Sequence, residues 1–164
     1  MPEYNEQELI EGCKQNNQLF QELLYKKYYN LFLKLCVRYT SNIHDAEIAI
    51  HDGYIKIFKS IYSYENKGSF EGWMRKIMVN CCLDFIKTEN VKNTKDDFNA
   101  LDTLSLKEIL NEIQLLPTMS RTVFNLYIFE GMKHKEISEI LEITEGTSQW
   151  HVNNARKILQ LKLK

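Results

Sequence analysis

Near the C-terminus, Gln149, Trp150, Asn153 and Asn154 stand close together, with Arg156 and Lys157 directly after them. The amides of Gln and Asn can pair bidentately with adenine, and Arg and Lys suit phosphates. This is a chemistry of recognition rather than of bond making. The surrounding segment, HKEISEILEITEGTSQWHVNNARKILQ (residues 134–160), has the grammar of a helix-turn-helix. Ile137, Ile140 and Leu141 give a short helix one apolar stripe. Glu142 and Ile143 form the turn. Thr144 is placed to cap the next helix, whose inner face would carry Val152, Ala155 and Leu159. In this motif the second helix enters the major groove, and its N-terminal half meets base edges. The turn usually has glycine where Glu142 stands, because a positive φ is convenient there. The same spacing also suits a plain helical hairpin with a solvated polar face. Trp150 on that face should meet a thymine methyl, a sugar or a protein surface; the alternative is that it is core.

No second chemistry competes. The sequence has no phosphate-cradling glycine loop, no zinc-ligand spacing and no convincing nucleophile–base pair. His44 and His51 lie seven apart on one face of a predicted helix, but no third metal ligand accompanies them, and surface positions are expected. Cys13, Cys36, Cys81 and Cys82 include no C-x-x-C spacing, and read as small buried hydrophobes in a reducing compartment. No metal and no cofactor are expected.

The elements that must hold the recognition face are helical. Two prolines and six glycines in 164 residues leave few breaks, which favours an all-α fold. Apolar spacing predicts helices over about 5–16, 17–40, 44–61 and 71–87. On the third, Ile48, Ile55 and Phe58 read as the buried stripe, with Asp45, Glu47 and Asp52 outside it. YSYENKGSF (residues 62–70) reads as a polar loop. TENVKNTKDDFNALDT (residues 88–103) is charged and aperiodic, and reads as a flexible linker. Beyond it, helices are predicted over about 104–115 and 121–129, the latter capped by Ser120, before the helix-turn-helix. The expectation is two small helical domains, 1–87 and 104–164, joined by residues 88–103.

The formal net charge of −1 is not that of a simple nucleic-acid coat. DNA affinity must be local or be supplied by another subunit. No stretch approaches the roughly twenty apolar residues of a membrane span, and the polar, acidic start does not resemble a signal peptide. A cytoplasmic chain without membrane insertion is expected.

Residues 115–159 resemble region 4 of sigma-70 family factors. The pattern is carried by Leu116, Pro117, Arg121, Val123, Phe124, Glu130, Gly131, Lys135, Glu136, Ile137, Leu141, Ile143, Glu145, Gly146, Thr147, Ala155, Arg156, Lys157 and Leu159. DAEIAIHDGYIKIF (residues 45–58) is similar to the region 2 helix that grips the polymerase clamp. GSFEGWMRKIMVNCCLDFIK (residues 68–87) is similar to the region 2 segment that opens and reads the −10 element, with Trp73, Arg75, Ile77, Asn80 and Asp84 at the family's places. The order and the linker match the extracytoplasmic-function (ECF) type. His51, Lys133, Gln149 and His151 depart from common family choices, and leave the recognition helix less basic than usual.

The resemblance implies a sigma factor that binds core RNA polymerase through its clamp and flap regions and directs promoter-specific initiation, and is not an enzyme in its own right. It implies −35 contacts by Gln149, Trp150, Asn153, Asn154, Arg156, Lys157, Lys135 and Arg121. It implies −10 contacts by Tyr64, Asn66, Lys67, Ser69, Arg75, Lys76 and Asn80, with Trp73 more a core residue than a stacking platform. Asp45, Glu47 and Asp52 would meet basic clamp residues. Partners would be core polymerase, promoter DNA and an anti-sigma factor; the free chain would be a monomer. The rivals are an operator-binding regulator, which has no use for the match at residues 45–87, an enzyme, and a decoy that binds polymerase but not promoters.

Overall fold

The computed structural model describes residues 4–88 and 104–163. The linker expected at 88–103 lies, from residue 89 onward, outside the described residues. The described residues form helices and one 3₁₀ turn, with no strand among them. The chain divides into two compact units. One comprises residues 1–36 with 44–88; the other comprises 37–43 with 89–164.

The first unit holds α1 (Glu6–Lys14), most of α2 (Gln18–Tyr39), α3 (Ile43–Ser60) and α4 (Phe70–Thr88). A reciprocal cap starts α1: Asn5 Oδ1 accepts from the Glu8 N–H at 2.9 Å, and the Asn5 N–H donates to Glu8 Oε2 at 2.8 Å. Asn16, at φ 57°, breaks the chain between α1 and α2. Leu9, Ile10, Leu24, Phe32, Ile50, Ile57, Ile61, Phe70, Met74 and Met78 fill the core.

The buried face of α3 is not the expected one. Ile48 is 38% exposed and Ile55 52%, whereas Ala46, Ala49, Ile50, Gly53, Tyr54 and Ile57 face inward. The reason is steric. A Cβ on Gly53 would stand 2.2 Å from Met78 Sδ, so α3 and α4 approach more closely than a larger residue permits. Helix packing selects the face with the small residues, and turns the two isoleucines outward.

The second unit is built on α5 (Leu104–Gln114), α6 (Thr118–Ile128), α7 (His134–Leu141) and α8 (Glu145–Lys162). Ile113, Leu116, Phe124, Ala155 and Leu159 make its apolar centre. Pro117 occupies the N-cap of α6, so the helix starts three residues before the expected Arg121. Proline there forgoes no hydrogen bond, because the first helical N–H groups lack partners anyway. Ser120 therefore lies inside the helix, and its hydroxyl serves another purpose. Residues 37–43 join this unit through polar contacts. The Gln114 amide donates to Val37 O at 2.8 Å and Thr40 O at 3.3 Å, and Asn125 Nδ2 donates to Arg38 O at 2.6 Å.

Candidate nucleic-acid interface

Local chemistry sets the turn between α7 and α8. Glu142 adopts the left-handed conformation, φ 55° and ψ 43°, at the position where a positive φ is expected. Ile143 returns its N–H to Ser138 O at 3.1 Å. Thr144 then caps α8, its hydroxyl oxygen accepting from the Thr147 N–H at 3.1 Å. These bonds satisfy backbone groups that a helix end would otherwise leave open.

Ser148, Val152, Ala155 and Leu159 form the inner face of α8. Ser148 extends the expected stripe by one turn. Its hydroxyl lies 2.9 Å from Nδ1 of His134, whose ring stacks on Tyr127 at 4.5 Å. One turn on, His151 Nδ1 lies 2.9 Å from Ser120 Oγ, and Asn154 Nδ2 donates to the same oxygen at 3.3 Å. Burial pulls the His151 imidazole below its ordinary pKa. The helix is thus tied to α7 at Ser148 and to α6 at His151.

What remains outside is a ridge. Gln149, Trp150, Asn153, Arg156 and Lys157 are exposed, and their spacing of three, four and seven keeps them on one side of the helix. Trp150 is 58% exposed, so the core alternative does not hold, and its indole meets the His151 ring edge-on at 4.9 Å and 78°. Asn154 is half-buried and engaged with Ser120. Lys135 is exposed at the start of α7.

Arg121 departs from expectation. It is fully buried, at 0% exposure, and donates to Gln114 O at 2.7 Å and to Ser41 Oγ at 3.5 Å. Desolvation pulls its pKa down to about 10. Its guanidinium is engaged inside the second unit rather than on the outward ridge.

In the first unit, Tyr64 also turns inward. Its hydroxyl donates to Gly68 O at 2.9 Å, and its ring packs on Phe70 at 5.0 Å and Trp73 at 5.4 Å. Trp73 stacks on Phe70 at 5.6 Å and is half-buried. The aromatic trio props the loop up rather than offering a free platform. Asn66, Lys67 and Ser69 are exposed on that loop; Lys67 pairs with Glu65 at 2.5 Å, and Ser69 Oγ accepts from the Gly72 N–H at 3.0 Å. Lys76 and Asn80 follow, four apart and exposed on α4, with Arg75 half-buried beside them. On α3, Glu47 and Asp52 are exposed and Asp45 is half-buried. Asp45, Ile48, Asp52 and Ile55 recur at steps of three and four, so the outward face alternates acid and aliphatic. Apolar spacing alone assigns those isoleucines to the core and does not reveal this combination.

The two halves of the chain match two models of one family. Residues 24–91 match sigma-70 region 2, and residues 106–159 match sigma-70 region 4. The chain belongs to the sigma-70 family. Its relatives place it in the ECF group of sigma factors. The ECF RNA polymerase sigma-E factor of Haemophilus influenzae is 23% identical, over 96% of this chain and 95% of that one. The ECF RNA polymerase sigma factor SigW of Bacillus subtilis is 26% identical, over 84% of this chain and 85% of its own length. The RNA polymerase sigma factor SigV of the same organism is 27% identical, over 80% and 84%. Among solved structures, CnrH in complex with the cytosolic domain of CnrY shares the fold, with a TM-score of 0.55, 17% identity and 94% coverage of both chains. This sigma factor therefore acts with RNA polymerase in promoter-specific transcription initiation. No described helix is long and apolar enough to cross a membrane.

Proposed function

We propose that this sigma factor seats α8 in the major groove of the −35 element and holds the melted non-template strand of the −10 element against the loop after Tyr64 and the exposed side of α4. The observation that carries the first part is the ridge of Gln149, Trp150 and Asn153 on a helix tied down at both Ser148 and His151. A reading surface must hold its geometry before the DNA arrives, and two hydrogen bonds to neighbouring helices provide that. Arg156, Lys157 and Lys135 supply phosphate contacts, which position without specifying. Arg121 has no part in this surface.

At −10, Asn66, Lys67, Ser69, Lys76 and Asn80 offer hydrogen bonds and charge to an unstacked strand, and Arg75 adds a cation beside them. Unstacking a base costs a few kcal/mol, which such contacts must offset. The outward face of α3, with Asp45, Glu47, Asp52, Ile48 and Ile55, is the clamp-binding surface in this reading. The acids meet basic groups, and the isoleucines provide apolar contact that acids alone lack. Region 4 meets the flap. The division into domains 1–87 and 104–164, a monomeric free state, an anti-sigma partner, a cytoplasmic location and the lack of catalytic activity belong to the same reading.

The test is reconstitution with bacterial core polymerase and a genomic promoter library. Discrete new start sites, lost on Asn153→Ala or Asn80→Ala, support the proposal. Polymerase binding without new transcripts would identify a decoy, and no polymerase binding would return the chain to the operator-binding regulators.

A further inference from the structure

The base-reading half of α8, residues 145–153, contains no lysine and no arginine. Those two side chains make the commonest specific contact to guanine, through O6 and N7. The structure narrows the available readers further. Thr147 and Thr144 share a hydrogen bond at 2.8 Å, Ser148 is buried against His134, and His151 and Asn154 are both engaged with Ser120. Gln149, Trp150 and Asn153 are the side chains left facing outward, with the acidic Glu145 at the start of the helix.

Gln and Asn amides match the N6 donor and N7 acceptor of adenine. The indole matches something different. It is an apolar plate, mostly exposed, backed edge-on by a His151 ring that Ser120 holds in place. In the major groove the apolar feature of a base pair is the thymine 5-methyl group. A bulky, backed aromatic ring beside two amides suited to adenine fits a run of A·T pairs, in which thymine methyls lie beside adenine edges.

We propose that the −35 element of this sigma factor is an A·T block, in which Trp150 packs on a thymine methyl while Gln149 and Asn153 pair with adenines. This rests on the reading that α8 enters the −35 groove, and adds to it the class of base read and the residue that reads it.

The test uses holoenzyme reconstituted from the full chain and core polymerase. Promoters randomised at −35 are selected for transcription, and each thymine of the selected element is then replaced by deoxyuridine, which removes only the methyl group. The expected result is an A·T-rich element with one thymine whose replacement weakens promoter binding about fourfold, the worth of one buried methyl-sized group. Trp150→Ala, at an exposed position, should assemble with core polymerase as the parent does, bind the thymine promoter more weakly and no longer distinguish it from the deoxyuridine form. A selected element dominated by G·C pairs, or a deoxyuridine effect that persists unchanged in Trp150→Ala, would overturn the proposal while leaving −35 docking intact. A holoenzyme indifferent to every −35 sequence would overturn both.

Discussion

Ser120 Oγ and His151 Nδ1 lie 2.9 Å apart, and that hydrogen bond joins the first turn of α6 to the middle of α8. Asn154 donates to the same oxygen. A neutral imidazole with its proton on Nε2 accepts from the Ser120 hydroxyl at Nδ1, while that oxygen accepts from Asn154. Ser120→Ala should leave both partners without it and destabilise the second unit by about 1–3 kcal/mol. Chemical denaturation would measure this. Discrimination among −35 sequences should fall with it, because the ridge loses its support.

The same pair should make stability depend on pH. Burial lowers the folded-state pKa of His151 below its ordinary 6.5. On acidification the unfolded chain therefore takes up this proton first. The contribution is fully present above pH 6.5, and is lost as pH falls from there through the folded value. Protonation would also turn Nδ1 from acceptor to donor, and Ser120 would have to reorient. Denaturation midpoints measured between pH 8 and pH 5 should decline below about 6.5, and His151→Gln should flatten that decline.

Contacts to phosphates and to bases respond differently to salt. Arg156→Ala or Lys157→Ala should weaken promoter binding nearly uniformly across sequences, and reduce the slope of log affinity against log salt by about 1. Asn153→Ala should instead cost about 1–3 kcal/mol on the preferred −35 element, with the slope unchanged. Holoenzyme titrations at several salt concentrations separate the two behaviours.

Arg121→Ala provides the contrasting case. The side chain is buried and donates to Gln114 O. Its removal leaves an unpaired carbonyl and a cavity, and should destabilise the protein by about 3 kcal/mol. Thermal unfolding should show the loss. The salt dependence of promoter binding by the folded fraction should remain that of the parent.

On α3, charge and apolar contact should act together. Asp52→Lys should weaken binding to core polymerase and make what remains less sensitive to salt. Ile55→Ala should also weaken it by about 1 kcal/mol while sparing stability, because the side chain is half exposed. Equilibrium binding to core polymerase, with unfolding as the control, would check both.

Most of the helical plan is legible in the sequence because its signals are local. Thr144 announces the start of α8, the stripe of Val152, Ala155 and Leu159 announces its inner face, and the position of Glu142 announces the turn. What stays hidden depends on groups far apart along the chain. The inner face of α3 is decided by Gly53 against Met78, a contact that periodicity alone does not encode. Arg121 and Tyr64 have the side chains of nucleic-acid ligands, and only their hydrogen bonds to Gln114 and Gly68 reveal interior roles. Ser148 sits four residues before Val152 on the same stripe, but a hydroxyl does not announce itself as core.

The placement of charge along α8 has a consequence for target search under the proposed −35 reading. Non-specific affinity for DNA grows with the number of phosphates neutralised. Here the leading half of α8 carries no Lys or Arg, and Arg156 and Lys157 come only beyond it, in a chain of net charge −1. If α8 is the proposed −35 reader, the free subunit should bind random chromosomal sequence weakly, and the search for promoters should fall to the assembled enzyme. Output should then follow the ratio of this subunit to others competing for the same core, rather than the number of sites in the genome.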